Sequence, residues 1–109
     1  MSEQISEQFD GVSVVCKANV YFDGKVVSHT IKFPDGSTKS VGVLYPGAFT
    51  FNTEAAERMD IIAGSCRVKV SGDHESKVYE AGSGFEVPAN SSFDIEIEDG
   101  IAEYVCSYL

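Results

Sequence analysis

The residues with the spacing of a chemical site lie in FNTEAAERMDIIAG, Phe51 to Gly64. A common metal-binding loop of small β proteins carries two histidines at i and i+2, then a glutamate three or four residues on, then a glycine. Glu57 and Gly64 keep those intervals, while Phe51 and Thr53 stand where the histidines would be. A second spacing occurs in AGSGFEVPANSSF. Gly82, Pro88 and Asn90 hold turn positions, and Phe93 occupies the place of a further histidine. Of four ligand positions only the Glu57 carboxylate remains, and one carboxylate beside two phenylalanines does not bind a transition metal tightly. No metal or other cofactor is expected. His29 and His74 have no ligand-like partner at suitable spacing and read as solvated surface side chains.

The elements that must position these residues are strands. Asp23-Gly24 and Asp35-Gly36 fall between apolar alternations, and Asp-Gly is a strong hairpin signal because glycine accepts the positive φ that such turns need. Strands are expected over residues 12–15, 20–22, 25–33 and 40–45. Cys66, Val68 and Val70 alternate with Arg67 and Lys69, and Phe93, Ile95 and Ile97 alternate with Asp94, Glu96 and Glu98. Period two with charge on one side marks half-buried antiparallel strands. Only TEAAERM offers a turn or two of helix. Roughly nine short strands between Gly, Pro, Asp and Asn turns imply an all-β sandwich or small barrel.

Length and composition fit one domain. The chain has 109 residues, 43% of them hydrophobic. Residues 1–10 lack apolar alternation and are expected to form an N-terminal tail, leaving 11–109 as the folded domain. Seventeen acidic against eight basic residues leave a net charge of −9, which repels the phosphate backbone of nucleic acid. Neither a signal sequence nor an apolar run of membrane-spanning length is evident, so a cytoplasmic protein without membrane contact is expected. Cys16, Cys66 and Cys106 are odd in number and form no CxxC pair, which indicates reduced core or half-buried thiols. Short strands leave open edges, so a homodimer is expected, with the strands of residues 12–22 the likeliest to pair.

The two motifs, in this order and separation, resemble the paired signatures of cupin barrels with the metal ligands replaced. The fold class expected is therefore all-β, a single cupin-like antiparallel barrel or jelly roll. At block level ANVYFDGKV, SVGVLYPGAFTFNT, ERMDIIAG, VYEAGSGFEVP and YVCSYL resemble the small bacterial pyrimidine/purine nucleoside phosphorylases of cupin fold. The likeness runs from about Phe9 to Leu109. It implies phosphorolysis: a purine or pyrimidine nucleoside plus inorganic phosphate gives a free base and α-ribose 1-phosphate. Some relatives carry arginine where this chain has Ser107, which weakens any phosphate role at that position.

That chemistry assigns roles. A carboxylate near ribose favours the oxocarbenium-like charge of glycosidic cleavage, and Glu57 is the candidate. Broad base acceptance favours stacking over base-specific hydrogen bonds, which points to Tyr45, Phe51, Phe93 and Tyr104. Thr53 is a candidate donor to ribose or phosphate. A structural role competes with each: a solvated charge for Glu57, plain core for the aromatics, a structural hydroxyl for Thr53. The phosphate residues stay open among Lys39, Ser40, Arg58, backbone N–H groups and a partner subunit, because alternation turns Arg67 and Lys69 away. Three readings compete with the enzyme: a non-enzymatic small-molecule-binding cupin, sensor or storage barrel; a metal-dependent cupin enzyme; and a barrel that serves only to dimerise.

Overall fold

A computed structural model of the chain describes residues 8–109. Eleven strands are present among them: β1 (Ser13–Val14), β2 (Asn19–Tyr21), β3 (Val26–Lys32), β4 (Thr38–Leu44), β5 (Gly47–Asn52), β6 (Glu57–Ala63), β7 (Ser65–Val70), β8 (Lys77–Glu80), β9 (Gly84–Val87), β10 (Ser92–Ile97) and β11 (Ala102–Tyr108). Both Asp-Gly hairpins form, joining β2 to β3 and β3 to β4. In the first, Phe22 and Asp23 take φ of 53° and 57° in a single 3-10 turn. In the second, the Asp35 carboxylate accepts from the Ser37 amide at 2.8 Å and its hydroxyl at 2.6 Å. Those two donors hold the Asp35 carboxyl below its ordinary range. TEAAERM does not become helix: β6 begins within it at Glu57, paired to β9 and β11, so ladder bonds outweigh a helical preference only one or two turns long.

The strands form two antiparallel sheets rather than a closed barrel. One runs β1-β3-β4-β11-β6-β9, with β2 beside β1 along the same edge of β3; the other runs β5-β10-β7-β8. From β4 onward the chain keeps crossing between them, which is the path of a jelly roll. The motif residues sit at these crossings. Gly64 turns β6 into β7 at φ 77°, where a side chain would run into the Ile101 carbonyl. Asn90 stands at the β9–β10 corner with φ 54°, a conformation asparagine tolerates far better than most residues. Thr53 joins two corners: its hydroxyl donates to the Pro88 carbonyl at 2.7 Å and accepts from the Ser91 amide at 2.9 Å.

The core fills the space between the sheets. Val26, Leu44, Met59, Ile61, Tyr104 and Cys106 from the larger sheet meet Phe49, Val68, Phe93, Ile95 and Ile97 from the smaller. Arg67 and Lys69 lie exposed on the outer side of β7, as alternation requires. Of the cysteines, Cys66 and Cys106 are buried and Cys16 is exposed; all three are free. Burial pushes the Cys66 thiol up to about 11. The expected tail over residues 1–10 lies, for 1–7, outside the described residues; within it, Phe9 packs edge-on against Phe33 at 5.2 Å. Among the described residues no helix is long and apolar enough to cross a membrane.

Candidate active site

One end of the space between the sheets opens into a cleft of about 170 Å³. Strand register decides which side chains reach it. Across the larger sheet Ser28, Gly42, Tyr104 and Ile61 stand opposite one another in one row, and Ser40, Cys106 and Met59 in the next. Tyr108 and Glu57 are partners at the mouth. The smaller sheet contributes Phe51 and Phe93, cross-strand partners whose rings stack at 5.5 Å with an interplanar angle of 21°. Tyr21 meets Phe51 edge-on at 6.1 Å. The cleft thus has a hydroxyl-bearing wall with one carboxylate and an aromatic wall facing it.

Glu57 is half-buried at the start of β6. Burial raises its carboxyl above the ordinary range, and the Cys106 thiol, donating to its Oε1 at 3.5 Å, lowers it by less. The same burial, together with the neighbouring carboxylate, pushes the Cys106 thiol well up, so it is a neutral donor and not a nucleophile. Ser40 and Tyr108 hydroxyls lie 2.8 Å apart. Burial raises the Tyr108 phenol, and its bond to Ser40 opposes that. The Tyr104 ring crosses the strand beneath it: a Cβ on Gly42 would come 2.7 Å from its Cζ and Oη, so only glycine leaves room for it to reach Ser28. Asn19 Nδ2 donates to Ser28 Oγ and to Thr30 Oγ1, each at 3.3 Å.

Of the residues singled out by spacing, Phe51, Glu57, Phe93 and Tyr104 come together in this cleft. Phe93 and Tyr104 are also core, 3% and 7% exposed, so the site and the core share side chains. Thr53 stands outside the cleft with its hydroxyl committed to the corner described above. Tyr45 lies on the outer face of the larger sheet. Ser40 reaches the cleft. Lys39 lies on the other face of β4, where its Nζ donates to Ser107 Oγ at 2.8 Å. Arg58 occupies the outer side of β6, its Nε 3.0 Å from Asp60 Oδ1. His29 is half-buried rather than solvated, its Nδ1 donating to the Val15 carbonyl at 3.1 Å.

Ser28, Asn52, Cys106 and Tyr108 line the cleft without having been singled out from the sequence. For β11 the signal was present, since Ala102, Tyr104, Cys106 and Tyr108 alternate with Glu103, Val105 and Ser107. For β3 it was not, because Val26 and Ser28 alternate with Val27 and His29 and both faces look alike. The positions that hold metal ligands in cupins do not fit a metal here: Phe51 and Phe93 offer no donor atom and the Thr53 hydroxyl is used elsewhere. Among the described residues no group of three or more His, Cys, Asp or Glu is arranged to hold one.

The two antiparallel sheets and the crossings between them give the chain a cupin-like, jelly-roll fold. Its backbone is similar to that of Bacillus subtilis oxalate decarboxylase, with a TM-score of 0.64 at 18% identity over 77% of this chain and 26% of the other, a likeness of fold alone. Residues 16–108 match the family described as pyrimidine/purine nucleoside phosphorylase. The chain belongs to that family. A Burkholderia vietnamiensis protein of that name is 59% identical over 102 residues, covering 94% of this chain and 95% of the relative. A Paraburkholderia xenovorans protein of the same name is 56% identical over 102 residues, covering 94% of this chain and 95% of the other. A solved Acinetobacter structure, of a protein of unknown function, superposes with a TM-score of 0.92 at 48% identity, covering 95% of this chain and all of the other.

Proposed function

We propose that the chain catalyses phosphorolysis of both purine and pyrimidine nucleosides, yielding free base and α-ribose 1-phosphate. Family membership over residues 16–108 carries this reading. The cleft supports it. An oxygen of hydrogen phosphate forms a bond to ribose C1′ as the C1′–N bond breaks. The bonding pair leaves with the base nitrogen, and the proton of hydrogen phosphate ends on the base. An α product from a β-nucleoside requires phosphate and base on opposite faces of the sugar. Two unlike walls provide for that, with the base against the aromatic Phe51 side and the sugar and phosphate toward the hydroxyls. The cleft is smaller than the ~300 Å³ at which ordinary small-molecule pockets begin, so it encloses only part of the nucleoside. A base held by stacking, outside a ring of fixed polar readers, is accepted whether purine or pyrimidine.

Glu57 lines the cleft, and in this reading its carboxylate stabilises the cation that develops at the ribosyl centre. The reaction as read here uses no metal. Exhaustive chelation is expected to leave turnover unchanged in protein that carries no stoichiometric metal by elemental analysis; activity lost with a bound zinc, iron or manganese would refute this.

The working unit is proposed to be a homodimer. Val27, Ile31, Val41, Val43 and Val105 form a largely apolar patch on the outer face of the larger sheet, flanked by Val12 and Val14 of the N-terminal edge and bordered by His29 and Glu103. Ile31 and Val105, 5% and 7% exposed, are already covered within the chain, so the half-buried Val27, Val41 and Val43 are what this face offers a second copy. In a chain of net charge −9, a face that is mostly valine and carries few carboxylates is where a second copy meets the first with least repulsion. Base release from adenosine and from uridine, with and without phosphate, tests the activity. Release that needs phosphate supports it, and release indifferent to phosphate refutes it.

A further inference from the structure

The co-substrate is a dianion, the protein is strongly acidic, and no cationic side chain lines the cleft among the described residues. Its described lining holds no Lys, Arg or His, and its one carboxylic acid is Glu57. The nearest basic side chains in sequence, Lys39 and Arg58, are on the far sides of their strands, engaged by Ser107 and by Asp60. A phosphate bound against this lining therefore meets neutral donors. Two hydroxyl pairs are present. Ser28 and Tyr104 lie deep, and Ser28 also receives the Asn19 amide. Ser40 and Tyr108 are the pair at the mouth: Ser40 is 5% exposed and set in the wall, while Tyr108 is 47% exposed and brings its hydroxyl to Ser40 from the rim.

We propose that phosphate is held by the hydroxyls of Ser40 and Tyr108 as neutral donors, without a cationic side chain. The inference rests on the phosphorolytic reading above. The pair has two O–H hydrogens, one of which bridges the hydroxyls at 2.8 Å. Both can turn to an arriving anion, so binding exchanges one neutral hydrogen bond for two charge-assisted ones. Tyr108 also stands directly across the ladder from Glu57, which puts the nucleophile beside the carboxylate that stabilises the ribosyl cation. An anion site without a cation, in an acidic protein, has an unusual salt response. Screening weakens the repulsion and leaves no ion pair to weaken, so added salt strengthens phosphate binding where an Arg or Lys site would lose affinity.

The test is steady-state kinetics of uridine phosphorolysis with varied inorganic phosphate, on the full-length chain, its Tyr108→Phe and Ser40→Ala variants, and Lys39→Ala. The two hydroxyl variants are expected to raise the phosphate KM about tenfold each while the uridine KM moves less than about twofold, since hydrogen bonds to a charged group are the ones lost. Lys39→Ala should leave the phosphate KM unchanged, and raising sodium chloride to about 0.2 M should lower it in the unmodified protein. Circular dichroism confirms folding of each variant. A phosphate KM unmoved by both hydroxyl variants, a rise confined to Lys39→Ala, or a uridine KM that moves in its place would overturn the assignment while leaving phosphorolysis standing. Unmodified protein that releases no base in response to phosphate would overturn both.

Discussion

Glu57 is held where folding alone would not keep a charge. Its carboxyl is raised by burial, so the native state binds its proton more tightly than the unfolded chain does. The cost of that burial is absent below the unfolded value of about 4.3, appears as pH rises through the raised folded value, and stays constant above it. Glu57→Gln keeps the volume and the acceptor for Cys106 while removing the charge. It should raise Tm at pH 7, with the gain vanishing in acid, and lower kcat on the order of a hundredfold. Thermal melts at pH 7 and pH 4 beside turnover measurements check this; a variant with unchanged kcat would make the glutamate a structural remnant. The aromatic wall calls for Phe51→Leu, because Phe93 is core at 3% exposed and its truncation mixes folding with binding. Phe51→Leu should weaken adenosine and uridine binding alike, by about tenfold if one stacking contact is lost.

Strand pairing explains what the sequence could and could not reveal. The hairpins at Asp23-Gly24 and Asp35-Gly36, and the alternations of β7 and β10, were readable because turn chemistry and period two are local. The site was only half readable. Phe51, Glu57 and Phe93 were found through the corners that surround them and Ser40 was one of several open phosphate candidates, whereas the convergence of Ser40, Cys106 and Tyr108 comes from the register of β4, β11 and β6, which no single strand encodes. Thr53 shows the opposite effect: its position in the motif suggested chemistry, but the adjacent corner claims its hydroxyl. Thr53→Val should therefore destabilise the fold by about 1–3 kcal/mol, leaving the Ser91 amide without its acceptor, with KM values unchanged. Chemical denaturation and kinetics together decide between a corner and a ligand.

For the molecule as a whole, the acidic charge and the valine face act together. The charge keeps copies apart except through the outer face of the larger sheet, where Val27 and Val43 stand side by side across the ladder. Sedimentation at low micromolar concentration should give a two-chain mass, and Val43→Asp a one-chain mass, because a buried unpaired carboxylate on each copy opposes association. A fully active single-chain species of the unmodified protein would contradict the dimer. The central claim concerns a bond made to ribose. Phosphorus NMR of adenosine and uridine, each mixed with the purified protein and inorganic phosphate, follows it directly. The account predicts that the phosphate signal falls as an α-ribose 1-phosphate signal grows, one for one with free base, for both nucleosides. Base released as free ribose, with inorganic phosphate undiminished, would contradict it.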